Sequence, residues 1–452
     1  MITSLLWLDL CLASVGFYLV KQMVSKTKPA PFPPGPKPLP LLGNMLDMPS
    51  VKPWLTFSDW ANKFGDMTHL EIFGQHIVVL NSAKTAVEML DKKSSLYSDR
   101  PVFPMGGELV GWRDTLVLLP YGDRFREYRR NFHRVIGSRA AMSVYSAIEE
   151  EETHKFLQRV LAKPTDLSAH VRTTAGAIIL RISHGYHIQE DRDPFVELAD
   201  TAVDQFSRST ATGAFMVDLI PALAHVPEWF PGAGFQRKAK EWRTTLHEMV
   251  DKPYKFVQDQ MAAGIAPKSF TSNLLEGRTL TEEEEHNIKW SAASLYSGMP
   301  PIVLGGADTA LVKEIFRWSP VVPIVIPHRV NTDDIHNGYY IPKGTLVLPN
   351  AWHMLHDPSV YPEPTDFIPD RFLPSEGKEL PNDPRDICFG FGRRICPGMH
   401  LADASVWLSA AMSLAVFDIS KVVENGVEIT PEIDPSSGTI RCAAFISWAT
   451  SV

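Results

Sequence analysis

The residues Phe389-Gly390-Phe391-Gly392-Arg393-Arg394-Ile395-Cys396-Pro397-Gly398 concentrate chemistry in this 452-residue chain. A cysteine among three glycines lets backbone approach a flat cofactor, because glycine carries no Cβ and takes positive φ without strain. Beyond it, Leu401, Val406, Trp407, Leu408, Met412 and Leu414 predict a largely apolar helix. Its positive N-terminal end favours Cys396 as a thiolate. The thiolate is the form in which cysteine acts as a nucleophile or metal ligand. The plain alternative is a buried structural thiol, since free cysteine is among the most buried residue types.

The spacing Phe-x-x-Gly-x-Arg-x-Cys-x-Gly resembles the signature of the cytochromes P450, haem-thiolate monooxygenases, in their fungal microsomal form. Glu314-Ile315-Phe316-Arg317 resembles the family's Glu-x-x-Arg helix. Phe367-Ile368-Pro369-Asp370-Arg371-Phe372 resembles its Phe-x-Pro-Glu-Arg-Phe segment, with Asp370 in place of Glu. Alone, an acid three residues before an arginine is an ordinary helix pair contributing roughly 0.2 to 0.5 kcal/mol. The resemblance makes Glu314, Arg317 and Arg371 a lock that holds the loop before the cysteine.

The resemblance further implies haem b, with Cys396 as axial ligand and Phe389, Gly392 and Gly398 shaping its loop. Arg394, His328, Arg129 and Arg100 would meet the two propionates. Phe125 stands where relatives carry Trp, which removes one indole hydrogen bond. Gly305-Gly306-Ala307-Asp308-Thr309 resembles the distal oxygen-activating element, with Asp308 as acid and Thr309 as hydroxyl relay; as a bare string it reads as a turn. The implied activity is insertion of one oxygen atom from O2 into an apolar small molecule, in secondary-metabolite or xenobiotic oxidation. The electrons would come from an NADPH-dependent flavoprotein reductase. Arg124, Arg126, Arg130 and Arg134 form either a solvated basic face or the docking surface for that acidic flavoprotein.

One spacing departs from the family. Thr309 and Glu314 are five positions apart, about 7.5 Å as helix and at most about 18 Å extended, where relatives interpose a helix and a loop between elements on opposite haem faces. Thr281 with Glu284 reads as a capping box opening a helix along Ile288, Ala292 and Leu295. Met299-Pro300-Pro301 stops it, since each interior proline costs about 3 kcal/mol. Excising residues 299–305 would rejoin Ser297-Gly298 to Gly306-Ala307-Asp308-Thr309, as a relative would read. Part of the distal-helix region is therefore expected to be missing, through a retained intron fragment and a skipped exon. The rival reading is a non-catalytic or inactive haem-binding remnant from a defective gene model.

The elements that must position these residues read as one mostly helical α+β domain, the P450 prism with small β-sheets. Residues 1–24 are expected to be a transmembrane anchor, because Ile2 to Val20 is mostly apolar and Lys21, Lys26 and Lys28 follow. Residues 25–44 form a proline-rich hinge and residues 45–452 the catalytic domain, cytoplasmic and held at the endoplasmic reticulum membrane by its lipid contact. Met67 to Ile72 with Ile77 to Leu80, and Tyr339 to Ile341 with Thr345 to Leu348, predict two hairpins. Ala140 to Leu161, Val171 to Ile182, Pro194 to Phe206 and Phe235 to Met261 predict helices. Pro221 to Pro231 is either a substrate-channel lid touching the membrane or a packed loop, and Phe103, Leu109, Val110 and Trp112 are pocket or core. The ending from Thr439 to Val452 does not resemble the family's closing strand pair.

Net charge of −8 argues against a general nucleic-acid binder, whose footprint would be basic. Cys11, Cys388, Cys396 and Cys442 show no paired spacing for disulfides or zinc. His184 with His187, and His353 with His356, lack a third ligand at metal spacing.

Overall fold

The computed structural model describes residue 16 and residues 28–451, except 50, 191, 212, 299–308, 375–378, 421, 426 and 430–448. Its longer helices are α1 (Pro53–Phe64), α2 (Asp123–Ile136), α3 (Ser146–Ala162), α4 (Leu167–His184), α5 (Pro194–Ser209), α6 (Gly234–Ala262), α7 (Glu282–Tyr296), α8 (Thr309–Trp318) and α9 (Met399–Val416). The expected anchor, residues 1–24, lies outside the described residues apart from Gly16. Among the described residues one helix, α9, is long and apolar enough to cross a membrane. It buries Leu401, Val406 and Ala410 and packs on α3 and α8.

Local sequence explains most boundaries. Thr281 caps α7 in a reciprocal box with Glu284, Asp193 accepts from the first amides of α5, and Gly185 ends α4 at φ +66°. α6 runs through Pro253 without ending. The helix expected from Ala140 breaks into Arg139–Met142, a 3₁₀ turn at Ser143–Tyr145, and α3. Ser138 accepts from Ala141 N–H and so starts a separate short turn.

The first hairpin forms: β1 (Met67–Ile72) pairs antiparallel with β2 (Gln75–Leu80) in the register Met67 to Leu80. The second expected hairpin does not. β5 (Tyr339–Ile341) pairs with β4 (Asp334–His336), while β6 (Leu346–Pro349) runs parallel to β2, with Val79 beside Leu348, and antiparallel to β3 (His328–Arg329). Asn337 at φ +49° and Gly338 at φ +79° make the two-residue turn that joins β4 to β5, a stronger hairpin signal than Pro342-Lys343-Gly344. β6 instead buries Val347 and Leu348 in the four-stranded sheet β1-β2-β6-β3. Near the C-terminus β7 (Asp418–Ser420) pairs with β10 (Ala449–Ser451), and β8 (Val422–Glu424) with β9 (Val427–Ile429).

Two of the hydrophobic cores frame the site. One joins α2, α4, α5, α6 and α7 through residues such as Phe132, Ile178, Phe206, Leu246 and Trp290. The other joins the sheet to the segment before the cysteine, through Val78, Leu90, Val347, Ile387 and Phe391. Between them lies a cavity.

Candidate active site

The cysteine loop begins where a short helix, Arg385–Cys388, delivers Phe389. Gly390 takes φ +78° and Gly392 φ +56°; a Cβ on Gly392 would lie 2.1 Å from the Leu90 carbonyl oxygen. Glycine there is thus required by both backbone conformation and space. Cys396 N–H donates to the Phe389 carbonyl at 2.8 Å, which folds the loop back on itself. Arg385 ties it to α9 by pairing with Asp383 at 2.6 Å and Asp403 at 2.9 Å.

Behind the loop stands the buried cluster of Glu314, Arg317 and Arg371. Arg317 donates to both Glu314 oxygens at 2.7 Å, and Arg371 Nε lies 3.1 Å from Glu314 Oε2. The remaining guanidinium hydrogens reach backbone carbonyls: Arg317 those of Leu355, Pro364 and Asp366, Arg371 those of Pro362, Glu363 and Asp366. Ile368 N–H adds a bond to Glu314 at 2.8 Å. Such satisfaction is what lets a fully buried ion cluster exist. Phe316, on the same helix, meets Phe389 edge to face at 5.1 Å, so the cluster's helix touches the cysteine loop directly.

Cys396 lines a cavity of about 320 Å³. Its walls include Phe389, Leu401, Val406, Leu295, Val325 and Phe206, and no carboxylate lines it among the described residues. Three arginines do: Arg100, Arg129 and Arg394. Burial lowers the pKa of each; Arg394 falls to about 10, and Arg100 is lowered further by its proximity to Arg394. Arg129 donates to the Ile395 carbonyl at 2.6 Å, Arg394 to those of Ser98 and Leu119, and Arg100 to those of Val117, Ile326 and Pro327. Arg394 Nη1 and His328 Nε2 are buried without an acceptor among the described residues. Burial, then Arg100, holds His328 neutral, and its Nδ1 lies 2.7 Å from the Tyr97 carbonyl.

Three desolvated cations at one apolar cavity, with Asp99 favouring the charge of Arg100 and Arg394, call for a further anionic ligand, since an uncompensated buried charge is costly. A flat apolar macrocycle with two carboxylates at one edge fits that requirement, and the sulfur in the wall fits its metal. Phe125 is buried beneath the Arg394 guanidinium, 4.0 Å from ring centroid to cation. Burial pushes the Cys396 thiol up, while the Gly398 amide and Arg129 oppose that by favouring the anion.

Asp308 and the side chain of Thr309 lie outside the described residues. The backbone of Thr309 opens α8, the helix of Glu314 and Arg317, whereas α7 ends at Tyr296 and brings Ser294, Leu295, Ser297 and Gly298 to the cavity. Phe103, Leu109, Val110 and Trp112 all pack in or against the core, and Trp112 also lines the cavity. Sequence reading missed Phe316, Arg385 and Glu149. The last is buried on α3 and accepts from Ser405 of α9 at 2.7 Å, a pairing across 256 residues that no local pattern announces.

The sequence profile described as Cytochrome P450 matches residues 33–311 and 309–433. Cytochrome P450 monooxygenase 208 of Postia placenta is 49% identical, over 91% of this chain and 88% of the relative. Cytochrome P450 monooxygenase claR of Ampulloclitocybe clavipes is 40% identical over 96% and 88%, and Cytochrome P450 monooxygenase ppsD of Aspergillus oryzae 37% over 95% and 91%. The first alignment spans 451 residues but uses 0.91 × 452, about 411, of this chain, so about 40 residues of that relative have no counterpart here. With this likeness running nearly end to end and a thiol-walled, arginine-edged cavity at its centre, the chain belongs to the cytochrome P450 family.

Proposed function

We propose that Cys396 is the axial ligand of haem b in a membrane-associated monooxygenase that oxidises an apolar small molecule, its electrons coming from an NADPH-dependent flavoprotein reductase. The observation that carries this is a cavity with Cys396 in its wall, three guanidinium groups along it, of which Arg100 and Arg394 are buried, and no carboxylate among the described residues that line it. Haem b, the family's cofactor, supplies the activation of O2 and the insertion of one oxygen atom. The chain's own residues do the rest. The Gly398 amide and Arg129 favour the sulfur anion, Arg100, Arg394 and His328 hold the propionate edge, and the apolar walls exclude water.

Glu314, Arg317 and Arg371 act as the lock for the cysteine loop. Asp308 and Thr309 are our proposed proton carriers. Replacing Thr309→Val is expected to raise the share of electrons released as hydrogen peroxide; an unchanged share removes the pair from that role.

Membrane contact is supported by Trp229, 80% exposed, and Phe230, 51% exposed, in the Pro221 to Pro231 segment. We place the chain at the endoplasmic reticulum, in the oxidation of secondary metabolites, as its resemblance to the microsomal members of the family implies. We further infer that the stretch of about 40 residues lacking a counterpart falls between α7 and α8, because the two profile matches meet at residues 309–311.

The test is the ferrous carbonyl spectrum of the full chain. A red-shifted thiolate band is expected, and Cys396→Ala should abolish it; an identical band in that variant would overturn the assignment.

A further inference from the structure

Among the buried donors that lack an acceptor in the described residues, two belong to side chains lining the cavity: Arg394 and Trp112. Arg394 is accounted for by the anionic edge. Trp112 belongs to another wall, packing edge-on to Phe206 of α5 with ring centroids 4.8 Å apart, and it is 2% exposed.

Its placement is fixed from several sides. Gly111 precedes it at φ +110°, and a Cβ there would sit 3.6 Å from Leu246 of α6. The Trp112 carbonyl accepts from Thr115 N–H at 3.0 Å and Thr115 Oγ1 at 2.6 Å. Leu116 N–H donates to Ser294 of α7 at 2.9 Å. The neighbouring hydroxyls are therefore already committed: Thr115 to Trp112, and Ser294 to the Trp290 carbonyl at 2.7 Å. The indole N–H has no acceptor among the described residues.

An indole nitrogen can only donate, and leaving a buried donor unmet is unfavourable. We propose that Trp112 Nε1 donates to a substrate oxygen, so that this cavity favours apolar molecules bearing a carbonyl or ether acceptor over the bare hydrocarbon. The proposal rests on this cavity being the substrate site. Phe206, Leu116, Leu295 and Val203 supply the apolar surround, and a site built to hydrogen-bond one substrate atom rejects the analogue that lacks it.

The test uses the haem-loaded full chain and two probes of similar shape, indan-1-one and indane, with binding read by equilibrium dialysis. In Trp112→Phe, which keeps a ring but loses the donor, the preference for indan-1-one over indane should fall about fivefold, the order expected for one neutral hydrogen bond. Indane affinity should stay within twofold. An unchanged preference overturns the proposal. A second measurement needs no variant: with ¹⁵N-labelled tryptophan in the ferrous carbonyl state, the Trp112 indole resonance should move downfield with indan-1-one and not with indane, and equal shifts would sink it. Loss of the thiolate band with the dialysis preference intact would count against Cys396 as ligand and not against Trp112.

Discussion

Cys396 can serve as a ligand only if its loop keeps one shape, and Gly392 is the residue on which that shape depends most directly. Its φ of +56° costs an L-residue about 1 kcal/mol or more, and a methyl group 2.1 Å from the Leu90 carbonyl adds a backbone clash. Gly392→Ala is expected to cost about 2 kcal/mol or more and to lower haem content, measured by denaturant unfolding and by the haem-to-protein absorbance ratio. Glu149 gives a pH prediction at the same scale. Burial raises its pKa from 4.5 to about 7, only partly offset by Ser405. The folded state therefore holds this proton to higher pH than the unfolded chain does, so stability falls as pH rises from about 4.5 to about 7. The full effect is of order 3 kcal/mol, and Glu149→Gln should flatten this part of a stability-against-pH curve.

At the scale of elements, α8 links the ion cluster to the cysteine loop. Glu314 and Arg317 lie on it, Arg371 arrives from the 3₁₀ turn Pro369–Phe372, and Phe316 touches Phe389. Removing one partner leaves buried charge uncompensated, which typically costs 3 to 5 kcal/mol. Glu314→Ala is thus expected to destabilise by about that amount, observed as a lower denaturant midpoint. It should cost more than Arg371→Ala, because it strands two guanidinium groups rather than leaving a Glu314–Arg317 pair. Equal losses would mean that the two arginines do not share Glu314. The sheet has a different logic: β2 comes from a part of the chain distant from β3 and β6, and β3 buries His328 with its Nδ1 2.7 Å from the Tyr97 carbonyl.

For the whole molecule, net charge is −8, yet α2 presents Arg126, Arg130 and Arg134 to solvent. A local positive face on an acidic protein can steer an acidic partner, and such steering weakens as salt rises. Reversing Arg130→Glu and Arg134→Glu should raise the KM for the reductase severalfold at low salt and much less at high salt, with the ferrous carbonyl band unchanged. A KM that does not move leaves this face merely solvated.

The sequence by itself determined the chemistry: glycine spacing around Cys396, the Glu314 to Arg317 step and Arg371 were all legible because short-range backbone rules and motif order encode them. It also marked the cap of α7 and the first hairpin, where the signals lie within a few residues. Tertiary structure decided what depends on distant parts of the chain meeting. β6 left its expected partner because burial between β2 and β3 outweighs the local turn at Pro342. Glu149 found Ser405, Phe316 found Phe389, and Trp112 came to lie where the core meets the cavity, since packing fixes such neighbours and no pattern in the one-dimensional chain carries that information.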